Sequence, residues 1–201
     1  MQGMAKVSLR AQDLPPGYPS SYESVAQLAD GRRVNIRPIL PSDATELAEA
    51  IRTADPATLR SRFLGGPPRI TPAVLDGLTR LNYVSRFALV AFSRGRGVAV
   101  ARYVALPASE HGKAVAEVAV AVAPRWRQVG LATALVERLA RRAQECEITD
   151  FTALYLAENR PVTELAHDGH ARVVIAEGIA HMYAALAPLL DSAGVKTPEQ
   201  H

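Results

Sequence analysis

One carboxylate, Glu117, interrupts an apolar stretch from Ala114 to Ala123 that breaks at Pro124. The segment Arg127, Gln128, Val129, Gly130, Leu131, Ala132, Thr133 follows, and a helical pattern opens within it. A strand that passes through small residues into a helix start builds an anion site. The first helical N–H groups have no partner inside the helix, and the helix dipole favours negative charge there. Gly130 and Ala132 carry little or no side chain, so a phosphate could approach the backbone closely. A phosphate cradle one strand-length from a possible base suggests a phosphate-bearing ligand and proton removal. The bland alternatives are an ordinary helix start and a structural carboxylate paired with an arginine such as Arg102.

These residues need elements to hold them, and the sequence supplies an order. Arg33 to Leu40 alternates as a strand, with Pro38 at its end or on an edge. A helix follows from Pro41, Ser42 and Asp43, and Asp43 with Glu46 resembles a capping box. Asp55-Pro56 and Thr71-Pro72 open two more short helices, each a cap followed by proline at the first helical position. Phe87–Phe92 and Val98–Leu106 read as a hairpin, and Ala114–Ala123 as a third strand. Gly130–Glu145 is a helix with Leu131, Leu135 and Leu139 on one stripe. A strand at Phe151–Ala157, a helix at Pro161–Asp168 and a strand pair at Val173–Ile175 and Ile179–Ala185 complete the order. Runs of strands broken by one β-helix-β crossover predict a mixed, mostly antiparallel α/β sheet flanked by helices.

Size and composition narrow the function. The chain has 201 residues, 48% of them hydrophobic. That favours one domain, expected over 31–190, with a flexible tail at 1–30 and a polar tail at 191–201. A net charge of +3 and a pI near 9.2 suit an anionic small ligand. The absence of a long Lys/Arg run argues against nucleic acid. The single cysteine, Cys146, excludes an internal disulfide and a cysteine metal cluster, and fits a reducing, cytoplasmic setting. No apolar run reaches the roughly 18 residues of a membrane span. His167, Asp168 and His170 lack a second ligand pair, so no metal is expected. Gly95 and Gly97 fail as a dinucleotide fingerprint.

The segment Arg127–Ala132 fits the signature of the GNAT superfamily of N-acetyltransferases: Gln or Arg, two residues, Gly, one residue, then Gly or Ala. The element order from about Asp30 to Leu190 is similar to that family, as is Asn159 downstream. The chain more closely resembles bacterial protein lysine acetyltransferases of the Pat type. That likeness is carried by "RVNIRPI" (33–39), "LRSRFLG" (59–65), "ALVAF" (88–92), "ARYVALP" (101–107), "AEVAVAV" (116–122) and "LAENR" (156–160). The resemblance implies a GNAT-like acyl-CoA N-acyltransferase fold and acetyl-CoA as donor. It implies Glu117 as general base and Asn159 as a holder of the coenzyme arm. The diphosphate would rest on the backbone of Gln128–Thr133, and the pantetheine arm would bond the strand Ala119, Val120, Ala121, Val122. The implied acceptor is a protein lysine. Small amines remain rival acceptors, and a catalytically silent acyl-CoA-binding module remains a rival function.

The chain departs from the family twice. Many members place a tyrosine seven residues after the asparagine, as acid for the leaving thiolate. Here Ala166 stands there, followed by His167. The usual Gly-Phe appears as Gly169-His170. His167, Tyr155 and Tyr183 are the weak stand-ins for the missing acid, and bulk water can serve instead.

Overall fold

The computed structural model describes residues 14–62, 64, 66, 69–107 and 114–187. Its strands are β1 (Ser24–Gln27), β2 (Arg33–Pro38), β3 (Arg86–Ser93), β4 (Arg96–Ala105), β5 (Val115–Val122), β6 (Asp150–Leu156), β7 (Arg172–Ala176) and β8 (Ile179–Ala185). Its helices are α1 (Ala44–Thr53), α2 (Pro56–Arg62), α3 (Pro72–Thr79), α4 (Leu131–Glu145) and α5 (Arg160–Asp168). The eight strands form one sheet in the order β1-β2-β3-β4-β5-β6-β8-β7. Neighbours are antiparallel except β5 and β6, which run parallel and are joined through α4. This is the mixed sheet that the element order predicted.

The register sorts the side chains onto two faces. Phe87 pairs with Tyr103 and Tyr103 with Val118, and Ala116, two positions from Val118 on β5, pairs with Phe151, so all five share one face. Their rings form a chain, Phe87 to Tyr103 at 5.8 Å and Tyr103 to Phe151 at 6.1 Å. Helix α4 covers this face. Leu131, Leu135 and Leu139 are buried in the same core, and Tyr103 lies beside Arg142 and Cys146 at the helix end. Burial, and secondly the neighbouring Cys146, push the Tyr103 phenol well above its ordinary range. Glu117 leaves β5 on the opposite face.

Two expectations need correction. Ser24–Gln27, inside the segment read as a tail, pairs with Arg33–Ile36 as an edge strand. Tyr18 and Tyr22 pack on the core just before it. The sequence concealed β1 because only Ala26 of its four residues is buried, so no apolar alternation marks it. The remainder of that tail, and residues 188–201 including most of the C-terminal tail, lie outside the described residues. Asp43 and Glu46 do not form a capping box. The Asp43 carboxylate accepts from the Leu40 amide at 2.8 Å and is clamped by Arg37 at 2.6 and 2.7 Å. Glu46 instead takes the Gly97 amide at 2.5 Å. A nearby guanidinium offers a buried carboxylate more than a second amide does.

Candidate functional site

Strands β5 and β6 pair over only three positions: Val115 with Asp150, Ala116 with Phe151, and Glu117 with Thr152. Beyond them Val118–Val122 keep β4 on one edge, but their β6-facing edge has no strand partner. The sheet therefore opens as a fork with Glu117 at its apex. A cavity of about 520 Å³ fills the opening, within the size range of small-molecule sites. Its walls are Val118–Val122 from β5, Ala153–Tyr155 from β6, the start of α4 and the inner side of α5.

At the mouth of the fork the chain turns into α4. Gln128 has φ +59° and Gly130 φ +82°, both in the left-handed region. Only glycine accepts that region without cost, and Gln128 is one of six described non-glycine residues that adopt it. A Cβ at Gly130 would meet nothing within 4 Å, so the glycine is required by its dihedral, not by crowding. No side chain caps the helix, and the first helical bond runs from the Ala134 amide to the Gly130 carbonyl at 3.0 Å. The amides of Leu131, Ala132 and Thr133 thus end the helix open toward the cavity, with the positive end of the dipole behind them.

The structure gathers the sequence-derived residues around this opening. Glu117, Ala119, Val120, Ala121, Val122, Arg127, Gln128, Gly130, Leu131, Ala132, Thr133 and Asn159 all line it. Val129 does not. It packs toward the core, and its carbonyl accepts from the Ala29 amide at 3.2 Å. Arg127 braces the turn: its guanidinium donates to the Val122 carbonyl at 3.1 Å and to Thr58 of α2 at 2.8 Å. Asn159 precedes α5 without capping it through its side chain, which leaves its amide group for the cavity. His167 is exposed and lies outside the lining, so geometry removes it as a thiolate acid.

Glu117 is exposed, and its side chain forms no ion pair or hydrogen bond with another described residue. Arg102 lies diagonally across on the same face, opposite Ala119, but its interaction is made elsewhere and not with Glu117. A carboxylate without an internal partner is available to a ligand.

Three features fit a coenzyme with a diphosphate and an amide-bearing arm. The uncapped helix start suits the diphosphate. The unpaired edge of β5 suits an extended chain of amides, which would restore the missing ladder. Tyr155 lines the opening, is 3% exposed, and its hydroxyl is the one buried side-chain polar atom without a partner among the described residues. Sequence reasoning gave Tyr155 only as a weak stand-in acid, and the fork itself leaves no trace in composition or periodicity. Among the described residues no group of His, Cys, Asp and Glu could hold a metal ion, and no helix is long and apolar enough to cross a membrane.

Residues 59–168 match the model of the acetyltransferase (GNAT) family. Acetyltransferase PA5475 of Pseudomonas aeruginosa is 32% identical over 145 residues, covering 70% of this chain and 76% of that protein. The crystal structure of the GNAT domain of S. lividans PAT superposes with a TM-score of 0.76 at 27% identity, covering 84% of this chain and 99% of that one. YncA of Salmonella typhimurium, solved with its cofactor acetyl-CoA, shares the fold at a TM-score of 0.58 and 17% identity, covering 84% and 99% of the two chains. The chain belongs to the GNAT acetyltransferase family and is an acetyltransferase.

Proposed function

We propose that this GNAT acetyltransferase moves an acetyl group from acetyl-CoA directly to a primary amine, that of a protein lysine, with Glu117 as general base. The position of Glu117 carries this reading: an unpartnered carboxylate at the apex of the fork, where the inner end of a bound coenzyme arm would meet the opposite face of the sheet. Acetyl-CoA, when bound, supplies a thioester whose acyl carbon bonds the amine nitrogen as the C–S bond breaks and the sulfur keeps the electron pair.

The chain's own residues then have three tasks. The amides of Gln128–Thr133 and the α4 dipole hold the diphosphate, and the free edge of Val118–Val122 aligns the arm. Fixing donor and amine in one geometry supplies much of the rate. Glu117 removes the proton. A lysine amine has a reference pKa near 10.4, so it arrives as an ammonium and cannot attack until it loses a proton. His167 lies outside the cavity, so the departing sulfur takes its proton from water or from the Tyr155 hydroxyl, which lines the opening without an internal partner.

The lysine acceptor is supported by the likeness to the S. lividans PAT domain and by the Pat-like phrases along the chain. Cytoplasmic residence accords with the unpaired Cys146. Glu117→Gln tests the base. The variant is expected to bind coenzyme A normally in calorimetry, while acceptor-dependent thiol release falls about 10²- to 10⁴-fold. Near-normal turnover at neutral pH would remove Glu117 from the role. Tight coenzyme binding by the wild type, with no acceptor-dependent release from any amine or protein, would favour a silent acyl-CoA module.

A further inference from the structure

The face of the sheet that carries Glu117 also carries a straight row of side chains. Glu117 on β5 is the register partner of Thr152 on β6, Thr152 of Tyr183 on β8, and Tyr183 of Arg172 on β7. Register partners share a face, so the four project together at intervals of about 4.8 Å. A shallow depression lies along the far end of the row, walled by Leu154, Val174, Ala176 and Ile179 with Arg172, His181 and Tyr183.

Hydrogen bonds fix what the row presents. Thr152, 7% exposed, donates to the Met182 carbonyl at 3.0 Å. Its oxygen also lies 2.8 Å from His181 Nε2, and the tautomer that satisfies both contacts carries the proton on that nitrogen. In the neutral ring Nδ1 is therefore an acceptor, and it takes the Tyr183 hydroxyl at 2.7 Å. The two rings lie 4.1 Å apart. Tyr183 is 45% exposed but held at both ring and hydroxyl, and with its proton spent it offers only lone pairs outward. The Arg172 side chain is exposed and has no ion pair or hydrogen bond to another described residue.

We infer that this row is an acceptor subsite that selects a lysine with an acidic residue close to it in the chain. The inference rests on the lysine reading of the same site. Glu117 and the Tyr183 oxygen both accept, which matches the donors of an ammonium lying between them over Thr152. Leu154 and Val174, 53% and 47% exposed, give the aliphatic stem an apolar wall. Arg172 only donates, and its guanidinium fork matches a carboxylate. It stands one strand spacing beyond Tyr183 and two beyond Thr152, about 5–10 Å. An acidic side chain within about three residues of the lysine spans that gap.

Capped seven-residue peptides with a central lysine flanked by glutamates, alanines or arginines test this, with acetyl-CoA as donor and thiol release as the readout. The wild type is expected to favour the glutamate peptide over the alanine peptide by about five- to tenfold in kcat/KM, mostly through KM. Arg172→Gln should erase that ratio, and Arg172→Glu should turn it toward the arginine peptide. Tyr183→Phe should raise KM for all three peptides by about three- to tenfold while leaving the ratio in place. Equal rates on the three peptides, or a ratio that survives both Arg172 variants, overturns the subsite. If no peptide is acetylated although coenzyme A binds, the lysine reading falls, and this inference falls with it.

Discussion

Between β3 and β4 the register runs from Arg86 against Val104 to Ser93 against Arg96, with one bulge at Ala91/Phe92. Between β5 and β6 it lasts three positions. The first junction spends its backbone groups on the fold and buries Phe87, Leu89 and Ala91 completely. The second withholds them. Backbone amides left without a ladder cost stability unless something else meets them, and at the fork that place is open to water and, in the proposed function, to the coenzyme arm. Stability and binding are thus concentrated in different stretches of one continuous sheet.

Substitutions in each region can break that division. The largest effect is expected from Arg37→Ala in the fully paired half, which leaves the mostly buried Asp43 carboxylate without its two guanidinium bonds. Removing one partner of such a pair costs about 3–5 kcal/mol. Urea denaturation should show that loss, with the coenzyme A affinity of the folded protein preserved. A parallel loss of affinity would mean the two regions are not separable. Gly130→Ala should do the reverse. Forcing an alanine to φ +82° costs about 1–2 kcal/mol, and because the strained residue opens the cradle, calorimetry should find weaker coenzyme A binding. Tyr155→Phe is the smallest and sharpest change. It deletes a buried hydroxyl with no internal partner, so thermal denaturation without ligand should show stability unchanged or raised by about 1 kcal/mol. A fall in melting temperature would mean the hydroxyl serves the fold.

Much of this architecture was legible in the sequence because local chemistry writes it. Thr71 before Pro72 caps α3, and its hydroxyl accepts the Val74 amide at 3.3 Å as the pairing of cap and proline predicts. Leu131, Leu135 and Leu139 mark the buried side of α4 by their spacing. The β3–β4 hairpin was legible too, but its connection is the two-residue turn Arg94-Gly95, with φ of +50° and +77°, and not the five residues 93–97 between the apolar runs, because Ser93 and Arg96 pair. The candidate site was legible where it is contiguous, from Arg127 to Thr133. The rest depends on pairing between distant segments. Nothing near Asp150 announces that β6 will leave β5 after Thr152. His181 and Tyr183, two apart on a strand, were the one available sign of the outer row, since that spacing puts them on one face. Their link to Thr152 joins residues 29 positions apart and has no sequence signature.

The small contacts around β1 carry a practical consequence. Ala29 donates to the Val129 carbonyl, and Arg32 stacks 4.0 Å over Trp126 while donating to the Arg125 carbonyl at 2.9 Å. The turn that shapes the anion cradle is therefore moulded from behind by residues about a hundred positions earlier. A shortened version cut at the start of β2 would retain every residue of the family signature, yet lose part of the scaffold that bends it. Engineered truncations of this protein are best begun upstream of Tyr18.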